Sequence, residues 1–253
     1  MIDYFVTGGH GFIGRRLVDN LPFPVGVIPH NDIIRGHSYN CNHLFFLSTY
    51  GNMAHHNEYS KMVKANVQDL LTILNGFRGW ICYMSSSSVL LPVQTPYSRT
   101  KHAAEEILQA LPELDACIVR PYSVVGVNEQ KEHLIPTLIR SCMEGEEMPF
   151  DPKPVHDFVD VEDVVDGLIA LSETRAIGIF EFGSGIPVTN QQVLDLVESA
   201  TGKKANIKPV SNLRPYDNPD WYCTSSFYQF FKPKKNIEQS VAEMVEAYRN
   251  EHP

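Results

Sequence analysis

The chain has 253 residues, enough for one large domain or a domain with a smaller lobe. Hydrophobic residues make up 43% and charged residues 20%, an ordinary globular composition that argues against a disordered chain. With 21 Lys and Arg against 30 Asp and Glu, the formal charge of −9 disfavours broad binding to nucleic acid or to an anionic membrane. A phosphate-bearing ligand must then be held by a local site.

In chain order, apolar runs at Tyr4 to Val6, Val25 to Ile28, Leu44 to Leu47, Trp80 to Met84, Ala116 to Val119 and Ile179 to Phe182 predict short buried strands. Between them, Ile13 to Leu21, Tyr59 to Leu74, Lys101 to Leu111 and Leu134 to Met143 carry apolar residues at helical spacing. This alternation predicts an α/β fold built on a doubly wound parallel sheet. Only about 16 residues separate the second strand from Leu44, so one crossover helix is expected to be short or missing. After Gly126 the texture changes. The segments GEEMPFDPKPVHDF and PVSNLRPYDNPDWY, rich in Pro and aromatic residues, are expected to be loops around a site. A closing helix is expected from Asn236 to Tyr248, with Ile237, Val241, Met244 and Val245 on one face.

Five cysteines (Cys41, Cys82, Cys117, Cys142, Cys223) are scattered without CxxC spacing, which suits a reducing compartment. The N-terminal stretch MIDYFVTGGHGFIGRR has no basic leader followed by an apolar run, and no stretch of about 18 apolar residues occurs. The expectation is a soluble cytoplasmic protein.

The segment Thr7-Gly8-Gly9-His10-Gly11-Phe12-Ile13-Gly14 follows a strand and opens a helix. In that context Gly8 allows a tight turn, Gly11 lets the backbone approach a pyrophosphate, and Gly14 permits close packing of helix on strand. The N–H groups of the first helical turn, at Phe12 and Ile13, would meet the phosphate charge. Dinucleotide binding is favoured over a bare glycine turn. The base of the choice between NAD and NADP is thinner. Asp32 lies about 18 residues after Gly14, where an acid would bind the adenosine ribose hydroxyls. Arg15, Arg16 and Arg35 are available for the extra phosphate of NADP. Both cofactors stay open, with NAD slightly favoured.

The second motif is Pro96-Tyr97-Ser98-Arg99-Thr100-Lys101, which opens a helix. Tyr97 and Lys101, four apart, share a helix face. The ammonium, with the positive nicotinamide, is expected to lower the phenol's pKa from about 10 and so make Tyr97 a usable acid/base. Upstream, Met84-Ser85-Ser86-Ser87-Ser88-Val89 places hydroxyls at a strand end.

Together these motifs resemble the extended short-chain dehydrogenase/reductases, the nucleotide-sugar epimerase/dehydratase group. The resemblance covers nearly the whole chain: TGGHGFIG, HLFFLSTYGN, Asn66 in KANVQDLL, MSSSSV, PYSRTKHAAEEIL, RPYSVVG, HDFVDVEDVV, FGSG and RPYD. It implies a Rossmann-like NAD(P)-binding domain of residues 1–127 with about 157–183, and a small substrate-capping lobe of about 128–156 and 184–253. It implies Ser86, Tyr97 and Lys101 as the catalytic group, with Lys101 holding the nicotinamide ribose. Ser85, Leu47, Ser48 and the stretch Pro121 to Val124 would line the cofactor. Asn52, Ser86, Ser123 and His156 would meet the sugar, and Arg214 would clamp its diphosphate.

Departures from the pattern narrow the chemistry. Where the family's dehydratases carry Asp-Glu after the Ser or Thr, this chain has Ser87 and Ser88, which disfavours 4,6-dehydration. The Cys of 3,5-epimerising reductases is also Ser88. The Asn usual in RPxN is Ser123, the Arg usual before DF is His156, and the loop from Ser88 to Tyr97 is short. His55 and His56, adjacent and without a third ligand at useful spacing, are discounted as a metal site. His102 and His133 read as helix-surface residues. Trp221 and Tyr222 suit base stacking or lobe packing equally well.

The expected activity is an NAD(P)-dependent nucleotide-sugar epimerase working by transient hydride transfer at a sugar carbon, C4 first among them. The alternatives are an NADPH-dependent nucleotide-4-keto-sugar reductase and, from another class, a non-catalytic dinucleotide-sensing or scaffold protein. The resemblance also implies a homodimer through the helices at Tyr59 to Leu74 and Lys101 to Leu111. No nucleic-acid partner, membrane or metal is expected.

Overall fold

A computed structural model describes residues 3–22, 24–29, 32–33, 41–53, 55–211, 221–224 and 232–252. The chain divides into two compact units: Met1–Pro121 with Val164–Phe182, and Tyr122–Asp163 with Gly183–Thr224 and Lys232–Pro253, in their described parts.

The first unit is built on a six-stranded sheet in the order β2-β1-β3-β4-β5-β9. Its strands are β1 (Tyr4–Thr7), β2 (Val25–Ile28), β3 (His43–Phe46), β4 (Trp80–Met84), β5 (Asp115–Pro121) and β9 (Gly178–Phe182). Every neighbouring pair is parallel. β4 is buried at all five positions, which is why it reads as an unbroken apolar run rather than an alternation. Among the described residues no α-helix lies between β2 and β3.

The helices of this unit are α1 (Phe12–Asn20), α2 (Tyr59–Val63), α3 (Asp69–Leu74) and α4 (Pro96–Gln109). A π-helical stretch, Lys64–Gln68, joins α2 to α3, so the expected single helix carries a one-turn bulge. Leu44, Phe46, Ile81, Tyr83 and Ile118 of the sheet pack with Leu70, Ile73, Ala104 and Leu108 of α3 and α4 in one core. Burying a side chain of this size contributes about 1.5–3 kcal/mol, so this cluster fixes where α4 lies on the sheet.

The second unit has β6 (Ser123–Val125), β8 (Val155–Asp160) and β10 (Pro187–Thr189) in the order β10-β8-β6, and a separate parallel pair of β7 (Met148–Phe150) and β11 (Ile207–Pro209). α5 (Leu134–Glu144), α7 (Asn190–Thr201) and α8 (Ile237–Glu251) surround its core of Val125, Leu138, Phe150, Val193, Val197, Val241 and Val245. α6 (Val161–Glu173) follows β8 directly. The first expected loop segment is corrected here: residues 145–158 contain β7 and the start of β8. Met148, Phe150 and Phe158 turn into the core; Pro149 is exposed at the centre of the short strand β7, and Pro152 and Pro154 lie between β7 and β8. Most of the second, residues 209–222, lies outside the described residues. All five cysteines are free, and four are buried. Among the described residues no helix is long and apolar enough to cross a membrane.

Candidate active site

The glycine-rich turn closes against the end of β3. Gly8 has φ +69°, in the left-handed region, and a Cβ there would lie 2.9 Å from the Ser48 nitrogen. Gly11 donates its N–H to the Gly8 carbonyl at 2.9 Å and caps α1. A Cβ on Gly14 would lie 2.1 Å from the same carbonyl, so only glycine lets α1 press onto the turn. The start of α1 has neither a side-chain cap nor an acidic first turn, leaving its N–H groups and dipole for an anion. Beside the turn, Leu47 N–H donates to the Thr7 carbonyl at 3.3 Å and Ser48 N–H to Thr7 Oγ1 at 3.2 Å. The buried Ser48 hydroxyl has no partner among the described residues. A backbone cradle that no side chain can enter, with an unpartnered hydroxyl at its wall, fits the pyrophosphate of a dinucleotide.

Asp32 is exposed just beyond β2, its N–H bonded to the Pro29 carbonyl at 2.9 Å. Arg16 folds back on its own helix, donating to the Phe12 carbonyl at 3.0 Å with its guanidinium 5.0 Å from the Phe12 ring centre. Arg35, offered for the NADP phosphate, and Arg214, offered for the diphosphate clamp, lie outside the described residues.

α4 begins where Thr95 accepts the Ser98 N–H and Pro96 occupies the first turn, a start that Thr-Pro-Tyr-Ser specifies locally. This places Tyr97 and Lys101 on one face, over the end of β4. Lys101 is 1% exposed; its ammonium donates to the Met84 carbonyl at 2.7 Å and lies 4.8 Å from the Tyr83 ring centre and 6.0 Å from that of Tyr97. Burial lowers its pKa to about 7, against the opposing pull of the Glu105 carboxylate.

The Tyr97 phenol lies near the side chains of Ser86 and Thr49, and its pKa lies above the ordinary 10 because burial outweighs their opposing effect. In the chain alone the ammonium is aimed at Met84 and the Tyr83 ring, not at the Tyr97 oxygen, so the lysine by itself does not give the expected lowering.

Ser86 lies two residues beyond β4 and caps a 3-10 turn, Ser87–Leu90. Its hydroxyl accepts the Ser88 N–H at 3.1 Å and lies 2.8 Å from the Ser88 hydroxyl. The hydroxyl of Ser85 is turned to the fully buried carboxylate of Glu105, which also accepts Arg120 Nε at 3.0 Å and Arg120 Nη2 at 2.5 Å. This buried triad braces α4 against β4 and β5, directly behind Lys101.

Sequence reasoning missed Thr49, and took Asn66 only as part of a motif. The Asn66 amide is fully satisfied. Its Oδ1 accepts Thr49 Oγ1 at 3.1 Å and Tyr50 N–H at 3.0 Å, while its Nδ2 donates to the Tyr50 carbonyl at 2.8 Å and to Thr100 Oγ1 at 2.9 Å. The position of Thr49 two residues past an apolar strand's expected end was the only available signal. Asn52 is exposed on the loop that follows. There His56 stacks on Tyr50 at 4.4 Å and accepts the Gly51 N–H, and His55 packs edgewise on His56.

In the second unit, β6 and β8 bring Ser123 and His156 together, with Ser123 Oγ 3.4 Å from His156 Nδ1. Trp221 packs near His156 and Tyr122. Next to His156, the buried Asp157 carboxylate accepts Ser184 N–H, Ser184 Oγ, Gly185 N–H and Cys223 N–H at 2.6–2.9 Å, tying the FGSG loop to residues 221–224. Pro121 ends β5 and Val124 lies in β6, both half-buried. His133 is not a free surface residue: it caps α5 and bonds Glu129 at 2.8 Å.

Residues 83–181 match the sequence model of the NAD dependent epimerase/dehydratase family. The low-salt glycan biosynthesis protein Agl12 of Haloferax volcanii is 28% identical over 134 residues, which cover 50% of this chain and 43% of that protein. A dTDP-glucose 4,6-dehydratase of Actinoplanes sp. is 24% identical over 168 residues, 63% of this chain and 52% of that protein. The chain thus spans about half the length of the curated relatives it matches. In fold it is similar to the UDP-glucose 4-epimerase TM0509 of Thermotoga maritima, solved with UDP-glucose, at TM-score 0.85 and 20% identity over 100% of both chains. MoeE5 in complex with UDP-glucose and NAD gives TM-score 0.83 and 22% identity over 99% of this chain and 100% of that one. Residues 83–181 are thus similar to the NAD dependent epimerase/dehydratase family, and the fold is the Rossmann-like one of the solved structures it resembles.

Proposed function

We propose that the chain is an NAD(P)-dependent nucleotide-sugar enzyme that moves a hydride at one sugar carbon, most simply as a C4 epimerase with Tyr97 as acid/base. One observation carries this reading. Consecutive residues join the two halves of the chemistry: Ser48 abuts the glycine turn, and Thr49 bonds Asn66, which bonds Thr100 on the helix of Tyr97 and Lys101.

Gly8, Gly11, Phe12, Ile13 and Gly14 would hold the pyrophosphate, with Leu47, Ser48, Ser85, Pro121 and Val124 along the rest of the cofactor and Asp32 at its adenosine ribose. When bound, a nicotinamide dinucleotide supplies the hydride acceptor and donor. Tyr97 exchanges the proton of the sugar hydroxyl, Ser86 hydrogen-bonds that oxygen, and Lys101 would hold the nicotinamide ribose. Ser123, His156, Asn52 and Arg214 are assigned to the nucleotide sugar. At the places where a dehydratase's Asp-Glu pair is expected stand Ser87, buried, and Ser88, bonded to Ser86. Neither can act as the acid that removes water, which supports epimerisation over dehydration. A homodimer is assigned to the exposed apolar row of Tyr59, Val63 and Leu71, which are 66%, 40% and 44% exposed.

The test is to incubate the protein with UDP- and dTDP-hexoses and analyse the products. Interconversion of C4 epimers without net cofactor consumption supports the proposal. Net oxidation of NADPH with a 4-keto sugar would replace it with the reductase, and no turnover of any nucleotide sugar would remove both.

A further inference from the structure

We infer that Asp157 is a positioning residue: its carboxylate docks residues 221–224 onto β8 and so sets Trp221 against His156. The inference rests on the assignment of Ser123 and His156 to the nucleotide sugar for its bearing on substrate; the docking stands on hydrogen bonds alone.

Asp157 lies within β8 and is fully buried. Its Oδ1 accepts the Ser184 N–H at 2.7 Å and the Ser184 hydroxyl at 2.6 Å. Its Oδ2 accepts the N–H groups of Gly185 at 2.9 Å and Cys223 at 2.8 Å. A carboxylate has about four lone-pair sites, so all are taken. Among the described residues no ion pair reaches Asp157, and the carboxylate is held by donors from two separate segments. Three of these donors are backbone N–H groups, which can only donate. The junction is tight. A Cβ on Gly183 would lie 2.5 Å from Asp157 Oδ2 and 2.6 Å from Cys223 Cβ, so only glycine lets loop, carboxylate and Cys223 meet.

Trp221 stands two residues before Cys223. Its ring centre lies 6.1 Å from that of His156 and 5.8 Å from that of Tyr122, and His156 Nδ1 lies 3.4 Å from Ser123 Oγ. The Trp221 indole N–H is buried without a partner, so no hydrogen bond of its own fixes the ring. The backbone that carries it does, and that backbone is tied to β8 where Cys223 meets Asp157. Asp157 thus acts on this cluster through Cys223 and Trp221.

Without the carboxylate, the N–H groups of Ser184, Gly185 and Cys223 lose their acceptor in a buried place, and both segments are expected to turn toward water. Asparagine is a partial replacement. Its amide oxygen serves one pair of donors and its NH2 group faces the other, so at least one backbone N–H meets a second donor.

The experiment uses the full chain labelled with 5-fluorotryptophan. Trp80 and Trp221 are the two tryptophans, and Trp221→Phe identifies which fluorine resonance belongs to Trp221. Trp80, fully buried in the sheet unit, reports on the rest of the fold. In Asp157→Ala the Trp221 resonance is expected to move to its place in the urea-denatured chain while that of Trp80 stays. UDP-glucose, followed by calorimetry, is expected to bind about tenfold more weakly, the effect of one lost hydrogen bond, with NAD(H) and NADP(H) binding unchanged. Asp157→Asn should give a smaller movement in the same direction, and serves as the readout should the alanine variant not fold. An unmoved Trp221 resonance, a Trp80 resonance that moves with it, or an unchanged UDP-glucose affinity overturns the inference. A parent chain that binds no UDP-glucose counts instead against the nucleotide-sugar reading, and the Trp221 resonance still decides the docking.

Discussion

Tyr97 and Lys101 do different electrostatic jobs although one helix turn separates them. Replacing Tyr97 by Phe removes the proton carrier and little else, so turnover is expected to fall by about 10²–10⁴ with cofactor binding retained. Steady-state rates beside a cofactor titration check both halves, and a Phe variant that still turns over removes Tyr97 from the mechanism. Lys101 is held well below its ordinary 10.5, at about 7. The unfolded chain therefore binds one more proton than the folded chain between those values, and Lys101 contributes stability that rises with pH across that window. Lys101→Met should stabilise the cofactor-free protein more at about pH 6 than at about pH 9, read from urea midpoints. An equal effect at both pH values contradicts the buried, neutralised lysine. At this scale the sequence showed which residues meet, because Tyr and Lys four apart on a helix have one geometry. It did not show the direction of the Tyr97 shift, which depends on burial, nor Thr49, whose partner Asn66 lies on another helix.

The elements hold these side chains through a few close contacts. Gly14→Ala would drive a Cβ to 2.1 Å from the Gly8 carbonyl, so α1 must move off the turn. Loss of measurable NAD(H) and NADP(H) binding is expected, by fluorescence titration; unaltered binding would detach the turn from the cofactor. Glu105→Ala removes the buried carboxylate that Ser85 and Arg120 share and should destabilise the fold by about 3 kcal/mol in urea unfolding. The strands and helices of the sheet unit were legible as apolar runs and helical periods. α6 and α7 were not among the expected helices, although Thr189 and Gln192 form a capping box that the sequence displays three residues apart. β7 and β8 were hidden by prolines: Pro149 sits inside the two-stranded β7–β11 ladder, and Pro152 and Pro154 lie between the two strands.

For the whole molecule, the chain has two units with separate cores; Gly8 to Gly14, Ser86, Tyr97 and Lys101 lie in one, and Ser123 and His156, proposed for the sugar, lie in the other. The row Tyr59, Val63 and Leu71 is expected to pair with a second copy. Light scattering at micromolar concentration should give a dimer that Leu71→Glu weakens, and a monomer at that concentration contradicts the pairing. The central claim, that the glycine turn serves a nicotinamide dinucleotide, is tested most directly by denaturing the purified protein, assaying the supernatant for NAD(H) and NADP(H), and titrating the undenatured protein with both. The account predicts a near-stoichiometric released cofactor or saturable binding of an added one; a protein that neither releases nor binds either dinucleotide contradicts it.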